Sequence, residues 1–154
     1  MRRGTVGWLL VGLQFVLLLV LILLPWRAPT PLSVVLGLVL AVSGAVLGVS
    51  ASRRLGRALT PTPVPVAGAG LRTDGAYRLV RHPIYSAVLL IVGGYVVAIG
   101  SLWSAACAVV LLVFFALKSR WEDGLLHEQY GDEWTSWAAR TGALVPRLRR
   151  APGS

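Results

Sequence analysis

Two short polar patches hold most of the chemistry that this sequence could perform. The first is Arg81-His82-Pro83, with Tyr85 two positions on, and the second is the adjacent acids Glu122 and Asp123. Proline biases the residue before it toward extended geometry and suits the first position of a helix, so Pro83 is expected to open a helix with His82 at its mouth. A helix N-terminus presents unpaired N–H groups and the positive end of a dipole, and Arg81 beside it makes an anion-binding corner. Tyr85, in the first turn, can bring its hydroxyl to that corner. A second reading stays open, in which Arg81 and His82 anchor the helix at headgroup level and Tyr85 joins an aromatic belt. Five of the six acids fall within residues 122–133: Glu122, Asp123, Glu128, Asp132 and Glu133. At helical spacing Lys118 and Glu122, Arg120 and Asp123, and Asp123 and His127 are neighbours. Exposed pairs of that kind are worth under about 1 kcal/mol. Glu122 and Asp123 stand apart from this bland pairing, because adjacent acids at a bilayer boundary gain little unless a cation sits between them. Ionisable groups at membrane depth are functional candidates.

The elements that must position these patches are membrane helices. The chain has 154 residues, of which 56% are apolar and 14% charged. Soluble domains usually carry about 25% charged residues, and the mean hydropathy here is +0.73. Val6–Leu24 and Leu32–Ser50 are charge-free runs of 19 residues each, and Pro83–Leu117 is a third run of 35. As one helix the third would reach about 52 Å, too long for a hydrocarbon core of roughly 30 Å. Gly100-Ser101 offers a helix end followed by a new N-cap. The expectation is therefore a tight hairpin, Pro83–Ile99 and Leu102–Leu117, and four transmembrane helices in all. A cleavable signal peptide fits Arg2 and Arg3, but the first run is longer than a usual signal core and lacks a small-x-small site.

The fold class expected is an all-α integral membrane protein with a cytoplasmic loop and short C-terminal amphipathic helices, forming a single domain. Residues 1–50 hold two N-terminal transmembrane helices, 51–82 a cytoplasmic connecting segment, 83–117 the transmembrane hairpin and 118–154 a cytoplasmic C-terminal segment. Fifteen basic residues against six acids give a net charge of +9. The apolar runs point this charge at lipid rather than nucleic acid. Only Arg27 falls in the connections on one side, and the other 14 basic residues fall on the opposite side, which places both termini in the cytoplasm. Arginine-rich, lysine-poor composition with abundant Ala, Gly and Val points to a bacterial inner membrane. The lone Cys107 excludes an intrachain disulfide and a CxxC metal site. Gly37, Ala41 and Ala45, with Gly44 and Gly48, make a small-residue stripe suited to close packing within the chain; a dimer seam is possible but not indicated.

The connecting segment is long for so small a protein, and long loops tend to be functional or disordered. Its Thr60–Pro65 run should be extended, and Asp74-Gly75 reads as a turn. After Leu117 the fourth helix is expected to continue to Tyr130, end at Gly131, and be followed by a short amphipathic helix, 132–140, that offers Trp134 and Trp137 to the interface.

The pattern Gly75-x-Tyr77-x-x-x-Arg81-His82-Pro83-x-Tyr85, then two apolar helices, then Arg120-x-Glu122-Asp123-x-x-Leu126-x-x-x-Tyr130-Gly131-x-x-Trp134-x-x-Trp137 resembles the isoprenylcysteine carboxyl methyltransferase family. It is also similar to the related membrane phospholipid methyltransferases. The resemblance covers about residues 68–146. It departs where Glu122-Asp123 stands for the usual Glu-Glu, and where Tyr130-Gly131 and Trp134 stand for the frequent Phe-Gly and Tyr. What it implies is S-adenosyl-L-methionine as methyl donor, held at the cytoplasmic face between the Arg-His-Pro region and the segment 118–154. The methyl acceptor implied is prenylated or otherwise lipid-like and arrives through the bilayer. The cofactor-binding residues implied are Tyr77, Arg81, His82, Pro83, Tyr85, Arg120, Glu122 and Asp123, with Arg81, Glu122 and Arg120 in catalytic roles. The cofactor's ammonium suits Glu122, and its carboxylate suits Arg81 or Arg120. Three other functions remain open: a phospholipid or small-thiol methyltransferase, an NADPH-dependent enzyme resembling sterol reductases, and a non-catalytic membrane scaffold. No metal is implied.

Overall fold

The computed structural model describes residues 3–56, 59–60, 62, 68 and 70–147. Arg2, Arg57, Arg149 and Arg150 of the charge count, and Pro61 and 63–65 of the proline run, lie outside the described residues. Helix α1 spans Arg3–Leu23, α2 Pro31–Leu55, α3 Pro83–Ile99 and α4 Leu102–Ala138. A 3₁₀ turn, Gly75–Arg78, precedes α3 and follows the Asp74-Gly75 step. Among the described residues these are the four α-helices, and there is no strand beyond isolated bridges.

Local chemistry sets the helix starts. Thr30 caps α2 in a reciprocal box with Ser33, with Pro31 at the first helical position. Ser101 caps α4 by accepting from the Ser104 N–H, and Gly100 closes α3, so the hairpin breaks where the Gly-Ser pair predicts.

Helices α1, α2 and α4, with 21, 25 and 37 residues, are long and apolar enough to cross a membrane. Helix α3, with 17 residues, is about 25 Å long and short for a span. Large apolar side chains such as Phe15, Leu19, Val39, Val42, Val109 and Val113 are exposed along three helices. A continuous surface of this kind is stable only against lipid, and the protein is an integral membrane protein.

Helix α1 runs antiparallel to α4. Arg3 pairs with Glu128, Gln14 meets Lys118, and the Cys107 thiol approaches the Leu17 carbonyl. At the opposite end the Arg27 N–H donates to the Ile99 carbonyl at 2.9 Å, tying the α1–α2 loop to the hairpin turn. Helices α2 and α3 form the most intimate pair. A Cβ built on Gly37 or on Gly94 would lie 2.5 Å from the other glycine's carbonyl oxygen, and one on Gly44 would lie 2.7 Å from the Ala87 carbonyl. The small-residue stripe is thus occupied within the chain.

Past the membrane, α4 continues as expected and is interrupted at Gly131, whose φ of 52° is left-handed and suits a residue without a Cβ. The short helix beyond it differs from the sequence expectation at both tryptophans, and Trp134 is half-buried, under Arg81 and against His127. Trp137 is buried rather than offered to the interface: its indole N–H donates to the Tyr77 carbonyl, and it packs on Ala51, Ala76 and Tyr77. The chain then turns back over α3. The Arg81 N–H donates to the Gly142 carbonyl at 2.8 Å, the His82 N–H to Ala143 at 3.0 Å, and the Ser86 hydroxyl to Leu144 at 2.6 Å. Donors near the start of α3, some of which the helix itself cannot satisfy, are met by this returning strap.

Candidate functional site

The two polar patches meet directly. Asp123 accepts two hydrogen bonds from Arg81, at 3.2 Å from Nε and 2.7 Å from Nη2, in the fork geometry that arginine provides. Its Oδ1 also lies 2.9 Å from His82 Nε2. The other ring nitrogen, Nδ1, sits 3.5 Å from Glu122 Oε2, and Tyr85 donates its hydroxyl to that same oxygen at 2.7 Å. His82 and Tyr85 stack with ring centroids 5.4 Å apart. The cation that the adjacent acids require is therefore His82, lodged between them, with Arg81 behind.

Electrostatics follow from this enclosure. Burial would lower the His82 pKa, but hydrogen bonds and charge from Asp123 and Glu122 outweigh it and raise the value from 6.5 to about 9. Burial would raise the Asp123 carboxyl, yet bonds from His82 and Arg81 hold it below its ordinary value. Tyr77 is raised by burial and by the Glu122 charge, so its phenol stays protonated. Arg81 also donates to the carbonyls of Ala138 and Thr141 and lies over the Trp134 ring, 5.7 Å from its centroid. Its guanidinium is committed to the fold, holding the C-terminal strap to the start of α3.

A cavity of about 330 Å³ opens beside this network, within the roughly 300–1,000 Å³ usual for small-molecule sites. Its wall from α4 is Lys118, Glu122, Leu126 and Tyr130, a row at every fourth residue. Tyr77, Arg81, His82, Pro83 and Tyr85 line it from the 3₁₀ turn and the start of α3, Gln14 and Phe15 come from α1, and Leu71 and Arg72 from the connecting segment. Six of the eight sequence candidates thus line one cavity. Asp123 and Arg120 do not. They border a second pocket of about 400 Å³ with Ser119 and residues 142–147. The reason is helical phase: Arg120 is two positions from Glu122, roughly 200° around the helix, and Asp123 is one position, roughly 100°. Arg120 is exposed, and among the described residues its expected partner Asp123 is held by Arg81 and His82 instead. His127 packs edge-on against Trp134 rather than pairing with Asp123.

Sequence reasoning passed over three contributors. Lys118 read as half of an ordinary surface pair, yet it is 3% exposed and donates to Gln14 Oε1 at 2.7 Å. The signal was present, because Gln14 is the one strongly polar side chain in the first apolar run. Arg72 carries no sequence signal beyond its charge in the connecting segment. The strap 141–146 carries no sequence signal beyond falling within the extent of the family resemblance.

Comparison with known proteins identifies the family of the chain. The sequence profile of the phospholipid methyltransferase family matches residues 32–133. Protein-S-isoprenylcysteine O-methyltransferase A of Arabidopsis thaliana is 36% identical over 78 residues, which are 50% of this chain and 40% of that protein. Protein-S-isoprenylcysteine O-methyltransferase B of the same plant is 35% identical over 77 residues, 49% of this chain and 39% of the relative. Methanethiol S-methyltransferase of Pseudomonas deceptionensis is 32% identical over 98 residues, 58% of this chain and 33% of that enzyme. The matches thus span less than half the length of these relatives. The matched stretch contains α3, the acid pair and the cavity row of α4, and the chain belongs to the phospholipid methyltransferase family of membrane proteins.

Proposed function

We propose that the protein is an S-adenosyl-L-methionine-dependent methyltransferase acting on an isoprenoid or other lipid-like acceptor, with its site at the cytoplasmic face of a bacterial inner membrane. The observation that carries this reading is Glu122: a carboxylate 22% exposed, lining the cavity and fixed in place by Tyr85 and His82.

The residues present fit the cofactor class. A carboxylate held open to a cavity suits an ammonium or a nearby sulfonium. Arg72 is exposed and lines the same cavity and suits a carboxylate, whereas Arg81 is already engaged by Asp123. Leu71, Ile84 and Leu126 supply apolar surface for a flat base. When bound, the donor supplies a methyl carbon on a positively charged sulfur, which becomes neutral as the methyl group departs. The chain's part is positional: Glu122 orients the charged end, Tyr85 and His82 hold Glu122, and the apolar walls exclude water. In this reading Arg81 is a positioning residue, Asp123 fixes Arg81 and His82, and Arg120 has no role in this cavity. The lopsided arginine distribution supports the cytoplasmic placement of this end and of both termini.

Thermal unfolding of the detergent-solubilised protein with S-adenosylhomocysteine tests the reading. A rise in Tm that Glu122→Ala abolishes is expected. No shift with either cofactor form at saturating concentration would overturn it.

A further inference from the structure

The membrane-side end of the cavity contains a cation that the donor site does not use. Lys118 follows the last residue of the apolar run in α4, and its side chain is 3% exposed. An ammonium has three N–H donors. Here one goes to Gln14 Oε1 at 2.7 Å, and among the described residues no carboxylate oxygen lies within 4.0 Å of Nζ. The aromatic faces of Tyr85 at 4.9 Å, and of Phe114 and Phe115 at 5.8 Å, lie around it, and the charge of Glu122 acts on it without direct contact. Glu122 stands one turn along the same helix face, about 6 Å in rise, but its Oε2 accepts from Tyr85 and faces His82. A buried cation whose direct contacts are an amide and three rings, with the one carboxylate acting on it turned toward Tyr85 and His82, is costly unless an anion joins it.

Depth places this cation at the acceptor's end. Gln14 lies eleven residues into α1 from Arg3, about 16 Å along the helix, and both it and Lys118 line the cavity with Val11, Phe15 and Val88. The cavity therefore has an anionic carboxylate, Glu122, toward the loop segment and a buried ammonium toward the lipid. Resting on the methyltransferase reading above, we propose that Lys118, held by Gln14, binds the acceptor at a negatively charged reacting group, a carboxylate or thiolate, and disfavours an amine. Such an anion already carries the electron pair that forms the new bond to carbon and has no proton to lose. An ammonium headgroup would meet Lys118 as a like charge and would first have to shed a proton.

The test uses the full chain in lipid nanodiscs and three probes with one tail: S-farnesylthiopropionate, its primary amide, and the corresponding amine. The carboxylate should bind at least ten-fold more tightly than the amide, with the amine weakest. Lys118→Met should bring the carboxylate-to-amide ratio to within two-fold of one, and Lys118→Arg should keep a several-fold preference. Gln14→Glu, which neutralises the ammonium from beside it, should also reduce the ratio, and it serves if Lys118→Met does not fold. A wild-type ratio near one, or a ratio unchanged in Lys118→Met or Gln14→Glu, overturns the proposal. The ratio is read without turnover. Absence of S-adenosylhomocysteine binding would sink the methyltransferase reading, whereas normal binding with a ratio near one would sink only the role of Lys118.

Discussion

Arg81 and Asp123, 42 positions apart in sequence, are joined by two hydrogen bonds of 3.2 and 2.7 Å. Through them the start of α3 is locked to α4 just beyond the membrane, and the carbonyls of Ala138 and Thr141 close around the same guanidinium. Arg81 borders the cavity that Glu122 faces while Asp123 stands outside it, and both are spent on each other and on the strap, so the pair's first effect is on architecture.

Asp123→Asn should therefore lower stability more than it alters donor chemistry. Removing one partner of a mostly buried pair costs about 3 kcal/mol, and Arg81→Lys should cost a comparable amount because the fork is lost. Chemical denaturation in detergent measures the loss. Limited trypsin digestion at Arg140 and Arg147 should accelerate as the strap loosens; unchanged cleavage would separate the strap from the pair.

Tyr85→Phe keeps the ring that stacks on His82 and removes only the hydroxyl that holds Glu122. A hydrogen bond to a charged group is worth about 1.5–3 kcal/mol. S-adenosylhomocysteine affinity should fall about ten-fold while the Tm of the ligand-free protein changes by only a few degrees. Calorimetric titration provides the comparison, and an unchanged affinity would mean that Glu122 needs no tether.

Stability should depend on pH in a window set by the buried network. His82 is raised from 6.5 to about 9, so its contribution is complete below about 6.5 and is lost as pH climbs through about 9. Asp123 is depressed, so its contribution is present above the ordinary 3.8 and is lost as pH falls through the lower folded value. The Tm should be flat from about pH 4 to 6.5 and decline by several degrees toward pH 9. In His82→Gln the alkaline decline should be absent, and a decline identical to wild type would assign it to another group.

Gly93 and Gly94 offer a paired control on the α2–α3 contact. A Cβ at Gly93 meets nothing within 4 Å, whereas one at Gly94 would lie 2.5 Å from the Gly37 carbonyl oxygen. Gly93→Ala should be neutral or stabilising by up to about 1 kcal/mol. Gly94→Ala should force the helices apart and broaden the size-exclusion peak. Equal behaviour of the two would contradict the packing.

The helices could be read from apolar run length, and several ends from Pro83, the Gly100-Ser101 step and Gly131, because each acts through local backbone geometry; the start of α2 at Pro31 and its extension to Leu55 were not read. The meeting of Arg81, His82 and Tyr85 with the acid pair was anticipated from residue type and family pattern. The resemblance groups Arg120 and Asp123 with Glu122, and the structure sets them on other faces of α4, bordering the second pocket, because adjacent positions on a helix point different ways. Lys118 and Trp137 were misread for a related reason. Their burial is decided by α1 and by the 3₁₀ turn at Tyr77, contacts more than fifty residues distant that no local pattern encodes.

The row Lys118, Glu122, Leu126 and Tyr130 has a consequence for how this protein tolerates change in length. Because one rigid rod spans the boundary, the spacing and phase between its lipid-side and water-side groups are metered by residue count alone. Inserting a single alanine between Lys118 and Glu122 would swing everything beyond it by roughly 100°, turning Glu122 away from its tyrosine while every motif residue survived. Two intact motifs would then sit on one chain without sharing a ligand.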